Sequence, residues 1–130
     1  PEEAFFKHSI GGMRTFAEMV MELLGIAGPG TREIATGEVK ELNEHVEHGN
    51  SKAKLLQAWD EASDEINKWW AQIKPERFRE NIKLFGQYEG SAVSSIFYFI
   101  DNEIHHRGQG YVYLRSLGIE PPAFWDRQFM

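Results

Sequence analysis

The chain has 130 residues, 42% apolar and 26% charged, with 14 basic against 20 acidic side chains and a formal charge of −6. That size suits one domain, residues 1–130, with one core, and the composition excludes an intrinsically disordered chain. The negative balance disfavours sequence-independent binding to nucleic-acid phosphates, the short apolar run 96–100 falls far below the roughly 20 residues that span a bilayer, and the absence of cysteine removes disulfides, thiolate metal sites and a cysteine nucleophile.

Residues 1–12 close on Ile10-Gly11-Gly12, a turn signal, after which 13–24 reads as a helix. Thr15 and Glu18 have capping-box spacing, and Phe16, Met19, Val20, Leu23 and Leu24 recur at three- and four-residue intervals as one apolar stripe. Gly28-Pro29-Gly30 predicts a stop between Gly25 and Gly30. The polar, acidic stretch from Thr31 to Asn50 predicts a long crossover loop.

Ser51 is placed to cap a helix running to about Lys74, with Leu55, Leu56, Trp59, Ala62, Ile66, Trp69 and Trp70 along its buried side and Pro75 ending it. Between Arg77 and Glu89, Gly86 and the following Gly90 point to a loop that positions the next element. Ser91 opens a last helix expected from about Ala92 to Leu117, stopped by Gly118 and followed by Pro121-Pro122. Gly108 and Gly110 weaken its middle, each by roughly 1 kcal/mol relative to alanine. Three long helices and no sustained strand alternation make the class all-α. A closed bundle calls for a fourth helix, expected from a segment before Pro1 or from a partner chain. No basic-then-apolar leader follows Pro1, and with the missing cysteines this sets the expected location in the cytoplasm.

The chemically unusual place is the last helix, where Asn102, Glu103, His105 and His106 interrupt an apolar stretch. Residues 102, 103 and 106 lie three and four apart and share one side, while His105 points roughly 100° away from His106. Imidazole and carboxylate groups meeting inside a bundle are the raw material of a divalent metal site, and Glu-x-x-His recurs in such sites. Another helix must contribute, and Arg14, Glu18 and Glu22 are its ionisable residues, with Glu22 between Met21 and Leu23 the most embedded. The alternative is a buried His106 hydrogen-bonded to Asn102 or Glu22, with Glu103 paired to Arg107. His45 and His48 sit three apart in the acidic loop, where a solvated loop is the default reading. Trp59, Trp69 and Trp70 read as core.

The run His105-His106-Arg107-Gly108-Gln109, followed by Tyr113-Leu114-Arg115, Gly118 and Pro121-Pro122, resembles the C-terminal signature of the DinB-like family. Arg14-Thr15-Phe16-Ala17-Glu18 resembles the start of that family's second helix, and the helix carrying Trp59 resembles its third. The resemblance implies a four-helix bundle with a long crossover between second and third helices, often dimeric, holding a divalent metal on three histidines. Some relatives are thiol-dependent transferases or isomerases. Carried over by position, the last metal histidine falls on His106, its partner one turn earlier on Asn102, and the second-helix histidine on Glu22, so two of three imidazoles are replaced. The family's first helix has no counterpart here, in keeping with the helix count.

Two functions follow as expectations. In one, Glu22, Asn102 and His106 hold Zn²⁺, Ni²⁺ or Mn²⁺, and the protein is a metal-dependent hydrolase or thiol-dependent transferase acting on a small molecule. In the other, the altered triad is inert and the protein is a homodimeric, non-enzymatic bundle acting by ligand or protein binding. Neither involves nucleic acid or a membrane.

Overall fold

The structure is a computed structural model that describes residues 1–126; residues 127–130 of the expected domain lie outside that range. In chain order it consists of α1 (Glu2–Lys7), α2 (Phe16–Thr36), α3 (Lys52–Trp70), a 3₁₀ turn (Pro75–Arg79), strands β1 (Asn81–Leu84) and β2 (Tyr88–Ser91), and α4 (Ala92–Ser116). It is an all-α fold carrying one small hairpin.

α2 is the central element and packs against both α3 and α4. Its start follows the sequence signal: the Thr15 hydroxyl accepts from the Glu18 amide while the Glu18 carboxylate accepts from the Thr15 amide. Its end does not. Rather than stopping at Gly25–Gly30, α2 runs through Pro29 to Thr36 and is capped by Gly37 in the left-handed region, φ 75°. Pro29 leaves the Gly25 carbonyl without its helical donor, yet the neighbours hold the helix together. A Cβ on Gly25 would lie 2.6 Å from the Asn43 carbonyl oxygen, and one on Gly30 would overlap the Phe99 ring. These glycines are points of close approach for the crossover loop and α4, so packing overrides the local preference for a break. The crossover is correspondingly shorter and starts at Gly37.

α3 begins where Ser51 predicts, its hydroxyl accepting from the Lys54 amide. It ends at Trp70, ahead of Pro75, which opens the 3₁₀ turn instead. Its expected buried stripe is a second correction. Leu55 alone is buried, Ala62, Ile66 and Trp69 are half-buried, and Leu56, Trp59 and Trp70 are exposed. α3 packs chiefly on α2 and so covers one narrow face.

The segment expected to be a loop contains the hairpin, an antiparallel pair with Asn81 opposite Ser91 and Leu84 opposite Tyr88. Phe85 and Gly86 both take left-handed φ values at its tip. Ile26, Ile34, Ile73, Leu84, Phe85, Ala92 and Phe99 form the core that fastens the hairpin to α2 and α4. Ser91 caps α4 through the Ser94 amide, and Gly118 follows its end with φ 73°, both as the sequence signals indicate. Among the described residues no helix is long and apolar enough to cross a membrane.

Candidate functional site

Three stretches of chain deliver one cluster. Arg14 immediately precedes the α2 cap, and its backbone is fixed from α4 by Tyr113, whose fully buried hydroxyl donates to the Arg14 carbonyl at 2.6 Å. Glu22 lies two turns on, facing α4. His106 comes from the middle of α4 and is oriented by Gln109, whose Oε1 is 2.8 Å from Nδ1.

Glu22 Oε2 is the meeting point. His106 Nε2 lies 3.1 Å from it, and the Arg14 guanidinium hydrogen-bonds the same oxygen. Arg14 also reaches Glu44 of the crossover at 3.7 Å. The Glu22 and His106 side chains are only 13% and 9% exposed, so the pair is largely out of water. A carboxylate in that setting needs compensation by charge and hydrogen bonds, which Arg14 and the imidazole supply. Because both His106 nitrogens face oxygens, the ring can donate to both only as the imidazolium.

Of the three expected ligands, the structure thus brings Glu22 and His106 together, whereas Asn102, one turn before His106 on α4, is hydrogen-bonded to neither. Asn102 is 8% exposed, makes no hydrogen bond to either, and its Nδ2 is buried without a partner. It lines a separate cleft of about 310 Å³ between α2, α3 and α4, beside Glu103 and Trp59. A divalent ion in a bundle needs at least three protein donors with free lone pairs. Here two donors meet, one carboxylate oxygen is already shared by a guanidinium and an imidazole, and among the described residues no group of three His, Asp or Glu side chains forms. This donor set does not fit a metal centre. His106 nonetheless has the orientation a ligand would need, with Nδ1 held by an outer oxygen and Nε2 facing the carboxylate.

Glu22 also closes one end of a cleft of about 410 Å³ between the start of α4, the hairpin and the crossover. Its walls include Ile26, Phe85, Tyr88 and Tyr98, with Ser95 and Glu44 as further polar groups. This is an apolar space with few polar groups at its margin, the usual composition of a small-molecule site.

The remaining sequence candidates fall elsewhere. Glu103 pairs with Arg107 at 3.3 Å along α4. His45 pairs with Glu47 at 2.8 Å, whereas His48 stacks on Phe6 and accepts from the Asn50 amide, so the two imidazoles have separate duties. His8 contacts Ser116 at 2.8 Å. Sequence reasoning missed two residues. Arg14 carried a signal, lying eight residues before Glu22 with opposite charge, but its place depends on the turn at Gly11-Gly12. Glu33, 4% exposed in the supposed loop, carried none. Its carboxylate accepts from the Phe85 amide at 3.0 and 3.1 Å, and burial pushes its pKa up against the lowering effect of the backbone hydrogen bonds.

A model described as the DinB family matches residues 15–130. Among solved structures, a DinB-like protein, YjoA, from Bacillus subtilis has the same fold, with a TM-score of 0.74 and 17% identity over 98% of this chain and 85% of that one. No curated protein matches.

Proposed function

The chain belongs to the DinB family, and on that premise we propose that it is a small-molecule-binding bundle protein in which an ion-pair network replaces the metal centre. The observation that carries this reading is the double engagement of Glu22 Oε2 by Arg14 and His106 at the end of the 410 Å³ cleft. Arg14 supplies the positive charge that a metal would otherwise bring to the carboxylate, and it does so without coordination chemistry. The ligand is expected to be mostly apolar, seated against Phe85, Tyr88 and Tyr98, with a donor group meeting Glu22 or Glu44.

The metal-dependent alternative is separated by a gain-of-function experiment. His106 is already oriented, so Arg14→Ala combined with Asn102→His frees the carboxylate and returns an imidazole one turn before His106. That double variant should take up Zn²⁺ and melt higher in its presence, because a ligand bound only to the folded state stabilises by mass action. Wild type, purified without a histidine tag, should show substoichiometric metal and no Zn²⁺, Ni²⁺ or Mn²⁺ dependence of melting. Stoichiometric uptake by wild type overturns the metal-free reading. The cleft itself is tested with an environment-sensitive apolar dye, whose binding should be blocked by Ser94→Trp, a substitution at the cleft wall. Binding that survives Ser94→Trp places the dye elsewhere and removes the support for this cleft.

A further inference from the structure

The cleft of about 310 Å³ between α2, α3 and α4 has a wall that is mostly apolar and partly aromatic. The small residues Gly28 and Ala62 leave space among the larger Leu24, Trp59, Ile66 and Phe99. Its size falls at the small end of the range that takes organic ligands.

One polar group in that wall has no task inside the chain. Asn102 is 8% exposed, and its Nδ2 meets no acceptor among the described residues. The neighbouring polar groups are engaged: Ser63 Oγ donates to the Trp59 carbonyl at 3.0 Å, and Glu103 accepts from Arg107 at 3.3 Å. A buried donor without a partner destabilises the empty protein, a cost that a leucine of the same branched shape would not carry. The two ends of a carboxamide are nearly equal in size, so a half-turn about χ2 carries the donor to the cleft without requiring new volume. Water is a poor partner there, because a held water needs roughly two to four polar contacts and the other groups are already bonded. The fitting occupant is an acceptor carried on an apolar body.

Charge narrows the class. Glu103 lines the same cleft, so a carboxylate ligand would set two like charges close together. An ammonium group offers Asn102 no acceptor. An uncharged carbonyl oxygen meets the donor without either conflict.

We propose that this cleft is a second ligand site, selective for a compact, uncharged aromatic carbonyl compound whose oxygen accepts from Asn102 Nδ2 while its ring packs against Trp59 and Phe99. The inference does not depend on the reading of the Glu22 cluster.

Two probes of matched shape isolate the hydrogen bond: acetophenone, and isopropenylbenzene, in which a methylene replaces the carbonyl oxygen. In an NMR titration, wild type should bind the ketone about 10-fold more tightly than the hydrocarbon, the weight of one hydrogen bond to a buried donor. The Asn102 side-chain amide protons should move downfield with the ketone alone. Asn102→Leu should melt no lower than wild type and bind the two probes equally. Ser63→Phe, at an exposed position on α3 that lines the cleft, should block both probes, whereas Ser94→Trp, at the wall of the other cleft, should block neither. If Asn102→Leu does not fold, the Asn102 resonance and Ser63→Phe still decide. No ketone binding at millimolar concentration, equal affinity of wild type for the two probes, or a ketone preference that survives Asn102→Leu each overturns the proposal. So does an Asn102 resonance that ignores the ketone, or binding stopped by Ser94→Trp and not by Ser63→Phe.

Discussion

Replacing Glu33 by alanine should destabilise the protein by about 2 kcal/mol, the middle of the 1–3 kcal/mol that a buried donor costs when its partner is removed. The donor is the Phe85 amide, which points at both Glu33 oxygens from a residue that is itself 5% exposed. Water cannot replace the carboxylate without opening the core around Leu84 and Phe85. For a chain of this size the loss corresponds to roughly 6–12 °C in Tm, readable by circular dichroism at pH 7. Glu33→Gln keeps an acceptor and removes the buried charge, so it should lie close to wild type. The two also differ in pH dependence. Burial raises the Glu33 pKa above its ordinary 4.5, so the folded state holds this proton more tightly than the unfolded state. Its contribution is therefore fully present below the ordinary value and is lost as pH rises through the raised one. Wild type should gain stability relative to Glu33→Gln on acidification through that window. Equal destabilisation by alanine and glutamine, with no pH-dependent difference, would refute a hydrogen-bonding role for this carboxylate.

Tyr113→Phe removes the hydroxyl that holds the Arg14 carbonyl, and should cost about 1–1.5 kcal/mol in denaturant titration while raising the mobility of residues 10–14 in hydrogen exchange. Gly30→Ala drives a Cβ into the Phe99 ring and should cost about 1–3 kcal/mol through overpacking, with partial recovery when Phe99 is shortened to leucine. Thr15→Ala should cost about 1 kcal/mol by removing the α2 cap. The same cap holds the Glu18 pKa down, first through the Thr15 amide and then its hydroxyl. That stabilisation is present above the ordinary carboxylate value and fades as pH falls through the lowered one, so the difference between wild type and Thr15→Ala should shrink in acid.

The helix starts were legible because they are local. Thr15 with Glu18, Ser51 and Ser91 each satisfy amides within three residues, and each begins the helix that the sequence indicates. The break expected at Gly28-Pro29-Gly30 failed for a non-local reason. Local propensity counts the cost of glycine and proline in a helix, but the gain comes from Asn43, Ala62 and Phe99, distant residues that approach where side chains are absent. The hairpin was hidden in the same way. Strands of four residues hold too few positions for alternation to show, and the clamp that fixes their turn, Glu33, sits some fifty residues earlier in what reads as polar sequence.

The candidate site divides along the same line. Glu22 and His106 could be singled out because a carboxylate and an imidazole lie on apolar helix faces, and they do meet. Helical spacing also put Asn102 on the His106 side, but a position on a face does not fix a hydrogen-bond partner, and the Asn102 amide ends buried without one beside the cleft between α2, α3 and α4. Arg14 is the reverse case. Its one signal, an opposite charge eight residues before Glu22, does not fix where the side chain goes, and its role appears only when the Tyr113 hydroxyl pins its backbone and the guanidinium closes on Glu22. An asparagine in place of one imidazole weakens a metal site, whereas a cation delivered to the remaining carboxylate competes with the metal for it. Arg14→Ala alone should therefore leave Glu22 and His106 facing each other without a third donor, and gain no Zn²⁺ response until Asn102→His is added. A Zn²⁺ response in the single variant would mean that the asparagine, and not the arginine, is the tolerated change.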